Sequence, residues 1–231
     1  MKYAILAAGE GSRLAQEGIE LPKPLVRLNG EAMIDRLIRI FEANDAEEIL
    51  IITNNLTPLT QTHLHEMQAT HPRVRLVVRT TPSSMHSFHA LMPLLGEGKF
   101  CLTTVDTIFR EDEFAAFIRE FQASEGDGMM AVTDFIDDEK PLYISTDEAL
   151  RITGFHDEPN GCRYISGGIY CLTDRSFAIL THCIEGGLSR MRNFQRQLVA
   201  DGLHLTARPF SQILDVDHAE DIVKAETFLR G

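Results

Sequence analysis

The first thirty residues constrain the fold of this chain more than any other stretch, because a short apolar run leads straight into a glycine-rich loop. Residues 3–8 are apolar and indicate a buried strand, and the loop GEGSR follows at 9–13. Glycines let backbone N–H groups crowd around an anionic ligand, since no side chain blocks its approach. Arg13 and Lys23, which stands between two prolines, add mobile positive charge beside the loop. The pattern predicts a strand followed by a loop that binds a phosphate-rich ligand.

Three better-known glycine loops do not fit. A Walker loop ends in Gly-Lys-Ser/Thr, whereas this loop ends in Gly-Ser-Arg. A Rossmann fingerprint needs a third Gly or Ala and a helix that begins inside the motif, but the third position is Leu14, and Pro22 and Pro24 oppose a helix. A kinase-type loop is followed by a lysine on the next strand, and Lys23 lies instead in a Pro-x-Pro loop. The Gly-x-Gly pair alone would be explained equally well by an ordinary strand-to-loop turn that binds no ligand.

The longer phrase is more specific than the glycines. LAAGEGSRL at 6–14 and LPKPLVRLNG at 21–30 resemble the signature of the nucleoside-diphosphate-sugar pyrophosphorylase family of nucleotidyltransferases, LAAGxGTRL followed by PKPL. Ser12 replaces the usual Thr and keeps its hydroxyl. The resemblance implies that Arg13 and Lys23 are catalytic. It also implies a set of nucleotide-binding residues: Leu6, Ala7, Ala8, Gly9, Gly11, Ser12, Arg13 and Ser84.

Short β-type runs alternate with helical ones along the chain, which predicts an α/β fold whose sheet is mostly parallel and has helices on both faces. In the first half we predict strands at 3–8, 48–53, 73–78 and 99–104, and helices at 32–43, 57–70, 85–95 and 111–123. In the second half we predict strands at 128–135, 142–145, 150–155, 163–172, 204–208 and 212–216, and helices at 174–184, 191–200 and 217–230.

No linker, low-complexity tract or repeat divides these elements, so we expect one domain over 1–231. Its nucleotide-binding half would cover about 1–125 and its acceptor-binding half about 126–231. The resemblance implies a single Rossmann-like three-layer sandwich with a mostly parallel mixed sheet, of the nucleotide-diphospho-sugar transferase type. The β-helix that some relatives append is not expected, because no hexapeptide repeat is present.

The charge, cysteine spacing and hydropathy of the chain limit the classes of partner and site that we expect. The chain has 22 Lys and Arg against 34 Asp and Glu, a formal net charge of −12, which disfavours nucleic acid or an anionic membrane as a partner. The 4 cysteines show no zinc-type spacing, and no apolar stretch approaches the ~18 residues that span a bilayer. We expect a soluble cytoplasmic protein with buried thiols. The sequence is compatible with a homo-oligomer.

Two aspartates are candidate Mg²⁺ ligands. Asp106 is the last residue of the segment FCLTTVD at 100–106, which contains most of the predicted strand 99–104. Ligands of open α/β sheets gather beyond the carboxyl ends of strands, and a carboxylate there suits Mg²⁺. The alternative is that Asp106 caps the next helix. The family carries a metal-binding Asp at this place, usually after Gly rather than Val105, so the resemblance implies the metal role.

Asp217 is the second candidate. Its phrase ILDVDHAEDI at 213–222 is similar to the family's DVDTPEDL, whose second Asp is the other magnesium ligand. The alternative is an N-cap of the last helix, with Glu220 completing a capping box. Asp215 and Asp217 also form a DxD pair, which leaves a metal-dependent glycosyltransferase open, although the N-terminal loop is foreign to those enzymes.

The acceptor side departs most from the family pattern. SGGIY at 166–170 resembles the family's SAGIY strand, which implies that Gly168 approaches the acceptor, although a bulge would explain the glycines equally well. FHDEP at 155–159 stands where the family has FxEKP, so Asp157 is an acceptor-binding candidate together with Lys23, and Glu158 replaces the family's lysine. We do not transfer that lysine's role to Lys140.

Glu158 would repel an acceptor phosphate. We therefore predict that Glu158 is exposed or that the acceptor carries a positive group such as choline. TTPSSMHSFH at 80–89 resembles choline-phosphate cytidylyltransferases in its serines, among them Ser84, although one of these serines could instead cap a helix.

The resemblance implies a magnesium-dependent nucleotidyltransferase that joins an NTP to a phosphorylated acceptor, first a sugar 1-phosphate, and releases pyrophosphate. A cytidylyltransferase of phosphocholine or another phosphorylated alcohol is the first alternative. A glycosyltransferase or a non-catalytic regulatory module of the same fold represents another class.

Overall fold

The computed structural model describes residues 1–137 and 139–231. The strands are β1 (Lys2–Ala7), β2 (Arg27–Leu28), β3 (Glu31–Ala32), β4 (Ile49–Thr53), β5 (Val74–Val78), β6 (Lys99–Thr104), β7 (Thr107–Ile108), β8 (Gly128–Thr133), β9 (Tyr143–Thr146), β10 (Ile152–His156), β11 (Tyr164–Thr173), β12 (Leu205–Pro209) and β13 (Leu214–Asp215). The helices are α1 (Ser12–Gln16), α2 (Met33–Ala43), α3 (Pro58–Thr70), α4 (Ser84–Leu95), α5 (Glu111–Ala123), α6 (Ser176–Glu185), α7 (Met191–Ala200) and α8 (Ala219–Arg230). A short 3₁₀ turn covers Lys23–Leu25.

The central sheet is mixed and mostly parallel, as the sequence predicts. Within the described residues it has nine strands, ordered β10-β9-β11-β6-β1-β4-β5, with β8 pairing β11 and β12 pairing β8. Strands β6, β1, β4 and β5 run parallel, and β11 joins β6 in the antiparallel direction. The same sheet therefore runs from the N-terminal half into the C-terminal half.

Helices on both faces explain why the inner strands are apolar throughout. Alternate residues of β1 point to opposite faces, so Tyr3 and Ile5 join one hydrophobic cluster while Ala4 and Leu6 join another. The first cluster includes residues of α2 and α5, and the second includes residues of α4, α6 and α7. Tyr3 stacks on Phe41 of α2 with ring centroids 4.5 Å apart, which ties β1 to that helix. These two layers hold the carboxyl ends of the strands in fixed positions.

Strand β11 is the junction of the two halves. Its first residues, Tyr164 and Ile165, pair with β9, whereas its last, from Ile169 to Thr173, pair with β6. Its pairing with β8 shifts register between Ser166 and Tyr170, which is a β-bulge. The bulge lies between the segments of β11 that pair with β9 and with β6.

The predicted elements are confirmed in kind, with differences at their ends. A short helix begins inside the glycine motif, but it ends at Gln16 and does not run into the segment that contains Pro22 and Pro24. The last helix begins at Ala219 rather than at 217, and the predicted strand 212–216 shortens to β13. None of the helices in the described ranges is both long enough and apolar enough to cross a bilayer.

Candidate active site

The glycine loop and Asp106 lie side by side at the carboxyl edge of the sheet. Strands β1 and β6 are parallel neighbours, with Leu6 opposite Thr104, and the Val105 backbone N–H donates to the Leu6 carbonyl. Because the two strands end at the same level, the loop after β1 and the Asp after β6 meet. The position of Asp106 therefore follows from the sheet register.

Gly11 is the glycine that the backbone requires. Its φ is +63°, in the left-handed region, and a Cβ there would lie 3.1 Å from the Cβ of Lys23. Gly9, in contrast, has no heavy atom within 4 Å of such a Cβ. Gly11 thus allows the Pro-Lys-Pro segment to pack directly against the loop, and this contact places Lys23 at the site.

The buried amide side chain of Asn54 binds the backbone of the glycine loop. Asn54, which follows β4, donates through Nδ2 to the carbonyls of Ala8 (3.1 Å) and Gly9 (3.2 Å). With its own carbonyl oxygen it accepts from the Leu56 backbone N–H and the Thr57 hydroxyl. Sequence reasoning missed Asn54, and its position directly after a buried strand is the signal that could have found it.

Four charged side chains converge beside the loop. The Lys23 ammonium contacts the Asp106 carboxylate and lies 2.6 Å from Oδ1 of Asp217, while Arg13 Nη1 lies 2.9 Å from Oδ2 of Asp217. Burial lowers the pKa of Lys23, but Asp106 and then Asp217 outweigh it, so that pKa lies above its ordinary value. Lys23 is therefore a cation, and one cation already bridges both carboxylates.

Neither aspartate caps a helix. The N-cap of α8 is His218, whose side chain and that of Asp221 form the capping box. Asp221 Oδ2 accepts from the backbone N–H groups of Asp217 and His218, at 3.2 and 2.8 Å. The alternative cap from Asp217 and Glu220 is therefore not formed, and neither is the alternative cap from Asp106, since α5 begins after Arg110. Both carboxylates are left for other partners.

A cavity of about 520 Å³ opens in front of these groups, and we call it the loop cavity. Every predicted nucleotide-binding residue lines it, and so do Lys23, Asp106 and Asp217. Ser84 lies on its wall at the start of α4, whereas Ser83 is the N-cap of that helix, accepting from the His86 backbone N–H at 3.4 Å. Capping is thus confirmed for one serine of the 80–89 phrase.

A second cavity of about 380 Å³, the bulge cavity, is lined by residues of the β11 bulge. It shares Ser83, Ser84 and Thr104 with the loop cavity. The rest of its wall is largely polar and comes from separate segments: Lys140, Leu142, Ser166, Gly168, Tyr170, Ser189, Arg190, Met191, Arg192, Gln195 and Asp215. A ligand could therefore extend from the loop cavity into the bulge cavity past the serines.

Gly168 lines the bulge cavity, but packing already explains it. Its φ is +73°, and a Cβ there would lie 3.0 Å from Oγ1 of Thr107. The Cβ of an alanine at Gly167 would meet Cδ1 of Ile213 at 2.2 Å. The bulge alternative therefore accounts for both glycines, and it also forms the cavity wall.

Asp157 lies outside the bulge cavity, in an outer cavity of about 640 Å³ that also exposes Glu158. It is 2.5 Å from Arg192 Nη1 and 2.7 Å from Arg196 Nη2, and hydrogen bonds from Arg196 and Arg192 hold the pKa of the Asp157 carboxyl below its usual value. The prediction that Glu158 is exposed is confirmed, so it need not repel an acceptor phosphate.

Sequence reasoning also missed the cations of the bulge cavity. Lys140 and Arg192 line both the bulge cavity and the outer cavity, as does Arg190. The Lys140-Pro141 pair was visible in the sequence, and Ser-Arg-Met-Arg at 189–192 carries two cations at the start of a helix. Only the fold shows that these segments face the bulge of β11.

The metal-binding potential of the site rests on two carboxylates. Within residues 1–137 and 139–231 no group of three or more His, Cys, Asp or Glu side chains could hold an ion. Mg²⁺ commonly uses one or two protein carboxylates and completes its octahedron with substrate phosphates and waters. Asp106 and Asp217, which share one ammonium partner, fit that requirement.

Residues 3–167 match the protein family described as MobA-like NTP transferase domain. A bifunctional IPC transferase and DIPP synthase of Thermococcus kodakarensis is 28% identical over 99% of this chain and 50% of its own length. N-acetylmuramate alpha-1-phosphate uridylyltransferase of Caulobacter vibrioides is 30% identical over 66% of this chain and 60% of its own length. The chain thus spans less than two thirds of either relative.

Among solved structures, the inositol-1-phosphate CTP transferase from T. maritima superposes with a TM-score of 0.80 at 18% identity, covering 99% of this chain and 96% of that one. At this identity the likeness establishes the fold alone. It agrees with the α/β sandwich described above.

Proposed function

Because the chain belongs to the family of MobA-like NTP transferase domains, we propose that it transfers a nucleoside monophosphate from an NTP to a phosphorylated acceptor. The products are an NDP-linked compound and pyrophosphate, and Mg²⁺ is the required metal. The observation that carries the proposal is the cluster of Arg13, Lys23, Asp106 and Asp217 beside the glycine loop. The relatives point the same way, since their names include a uridylyltransferase and an IPC transferase.

Asp106 and Asp217 are the residues that would hold the metal. When bound there, Mg²⁺ would neutralise charge that develops on the α-phosphate. The Lys23 ammonium contacts both carboxylates. With both carboxylates engaged by a metal, Lys23 would be available to bind the phosphates.

The chemistry requires no general base. An oxygen of the acceptor phosphate, already an anion, attacks the α-phosphorus; a new P–O bond forms there as the bond to the β-phosphate oxygen breaks, and pyrophosphate leaves. Catalysis then rests on alignment and charge neutralisation. Lys23 would lie between the α-phosphate and the incoming phosphate, and Arg13 would hold the departing β- and γ-phosphates.

The glycine loop would hold the phosphates through its backbone. Gly9, Gly11 and Ser12 line the loop cavity, and the two glycines carry no side chain that would obstruct their N–H groups. Asn54 fixes the loop from the other side by binding two of its carbonyls, so the donors are preorganised. Ser84 would contact the nucleoside at the junction with the bulge cavity.

A sugar 1-phosphate or a similarly hydroxylated alcohol phosphate is the proposed acceptor, bound in the bulge cavity next to Gly168. Serine, threonine and glutamine side chains line that cavity, and they suit an acceptor with several hydroxyl groups. Phosphocholine remains the alternative acceptor. Asp157 would act only indirectly, by orienting Arg192 and Arg196.

A matrix of substrates tests the proposal. Each of ATP, CTP, GTP, UTP and dTTP is combined with hexose 1-phosphates, inositol 1-phosphate, phosphocholine or 2-aminoethylphosphonate, and pyrophosphate release is measured with Mg²⁺ or with EDTA. We expect release from at least one pair, with a requirement for NTP, acceptor and Mg²⁺ together.

Other outcomes identify the rival functions. A glycosyltransferase would consume a sugar nucleotide without releasing pyrophosphate. A regulatory module would show nucleotide-dependent thermal stabilisation without turnover, since a bound ligand stabilises by mass action. Either result would overturn the proposal.

A further inference from the structure

The bulge cavity is positively charged in a strongly acidic protein. Among its described lining residues, Lys140, Arg190 and Arg192 are cations and Asp215 is the one carboxylate. The whole chain carries a formal net charge of −12. A local excess of positive charge in a cavity of such a protein favours an anionic ligand over a neutral or cationic one.

The arginines in and beside the bulge cavity differ in what they already bind. Arg192 is 2.5 Å from Asp157 and also donates to the Lys140 carbonyl at 2.9 Å. Arg196, next to them in the outer cavity, is 2.7 Å from Asp157 as well. Arg190 makes no ion pair and no side-chain hydrogen bond with any described residue. Asp157 is therefore the shared ion-pair partner of Arg192 and Arg196, whereas Arg190 has no such partner among the described residues.

The phosphate that reacts does not require Arg190. It must reach the α-phosphorus, and so must lie near Lys23, Asp106 and Asp217, which line the loop cavity. The loop and bulge cavities have in common only Ser83, Ser84 and Thr104 among the described lining residues. Arg190 lines the bulge and outer cavities instead. It therefore faces the part of the acceptor that points away from the reacting phosphate.

We propose that the natural acceptor carries a second anionic group, such as a carboxylate, on its organic part, and that Arg190 binds this group at the border of the bulge and outer cavities. Lys140 and Arg192 contribute further positive charge to the cavity. The serine, threonine and glutamine side chains bind the hydroxyl groups of the acceptor that lie between its two anionic groups. This inference rests on the proposed nucleotidyl transfer and narrows its substrate class to acidic sugar or polyol phosphates. A quaternary ammonium acceptor would meet like charge here.

Matched acceptor pairs test the inference, because each pair differs mainly in one carboxylate. Suitable pairs are glucose 1-phosphate with glucuronic acid 1-phosphate, N-acetylglucosamine 1-phosphate with N-acetylmuramic acid 1-phosphate, and glycerol 3-phosphate with 3-phosphoglycerate. In the wild-type protein we expect kcat/KM for the acidic member to exceed that for the neutral member by about tenfold or more in at least one pair, as a charge-assisted hydrogen bond would give.

Variants assign the preference to Arg190. Arg190→Gln should reduce the acidic-to-neutral ratio of kcat/KM to near unity. Arg190→Lys should restore part of this ratio, because lysine supplies the positive charge but not the planar guanidinium group that binds a carboxylate with two hydrogen bonds. Arg119→Gln is the control: Arg119 is an exposed α5 arginine, makes no ion pair with a described residue, and should leave the ratio unchanged.

Each outcome decides one question. If Arg190→Gln lowers kcat/KM equally for both members of a pair, Arg190 binds the reacting phosphate and the inference is wrong. If the neutral members, or phosphocholine, are the better acceptors, it is wrong as well. If no acceptor of any pair or of the earlier matrix yields pyrophosphate, the proposed function itself fails.

Discussion

The loop cavity and the bulge cavity meet at Ser83, Ser84 and Thr104, yet they are formed in different ways. Backbone geometry forms the loop cavity: parallel strand ends, a left-handed glycine and a buried amide hold it, and its charges already neutralise one another. Dispersed side chains form the bulge cavity, and one of its cations lacks a partner among the described residues. The comparison suggests that the fold fixes the reaction, while side chains select the acceptor.

The largest expected effect lies on the loop side. Lys23→Ala removes the cation that we propose lies between the two phosphates, and we expect kcat/KM to fall roughly 10²–10³-fold, as when a single charge-stabilising donor is lost. Steady-state kinetics with the identified substrate pair measure this, and thermal unfolding shows whether the variant is folded. Near-normal turnover would remove Lys23 from the mechanism and with it the contrast between the two cavities.

The carboxylates come next. Asp106→Asn or Asp217→Asn should raise the Mg²⁺ concentration needed for half-maximal activity by about 10–100-fold, because a neutral amide is a poor ligand for a hard cation. Asp221→Asn is the matched control. The Asp221 carboxylate caps α8 and accepts a hydrogen bond from the backbone N–H of Asp217. If the control shifts the Mg²⁺ requirement as much as Asp217→Asn does, the effect comes from the helix end rather than from the metal site.

The two glycines of the loop should behave differently. Gly11→Ala forces a side chain into the left-handed region and against Lys23, so we expect the free energy of unfolding to fall by about 1–2 kcal/mol. Gly9→Ala meets open space and should leave the free energy of unfolding nearly unchanged. Denaturant unfolding of both variants measures this. Equal losses would show that Gly11 is not specifically required by the backbone.

The smallest effect is expected on the bulge side. Asp157 is exposed, and surface ion pairs contribute little, so Asp157→Asn should barely change the thermal midpoint. Because the variant frees Arg192 and Arg196, it should lower KM for an acidic acceptor by about two- to threefold. Initial rates with the acidic and neutral members of one acceptor pair measure the change. A large loss of kcat would instead place Asp157 in direct contact with the substrate.

The sequence predicted the loop side well, because its determinants are contiguous or end a strand. The glycine loop, Lys23, Asp106 and Asp217 were all proposed, and all line the loop cavity. The alternative cap at the start of α8 is not formed, since His218 and Asp221 satisfy the same pattern one residue later than Asp217 and Glu220 do. Only hydrogen-bond geometry distinguishes the two registers.

The bulge side could not be predicted to the same extent. Lys140, Arg190 and Arg192 come from distant segments, and no local pattern states that they face β11. The family phrase directed attention to Asp157 and Glu158, whose side chains turn to the outer cavity. Long-range packing decides which charges line the cavity, and a single sequence does not reveal it.

The fate of each phosphorus of the NTP tests the central claim most directly. Wild-type protein, Mg²⁺ and the identified acceptor are incubated with NTP labelled on the α-phosphate or on the γ-phosphate. We expect the α-label to enter the acceptor product and the γ-label to enter pyrophosphate, in equal amounts, and both transfers to be lost in Lys23→Ala. Release of the γ-label as orthophosphate, or its transfer to the acceptor, would contradict the assignment of this site to nucleotidyl transfer.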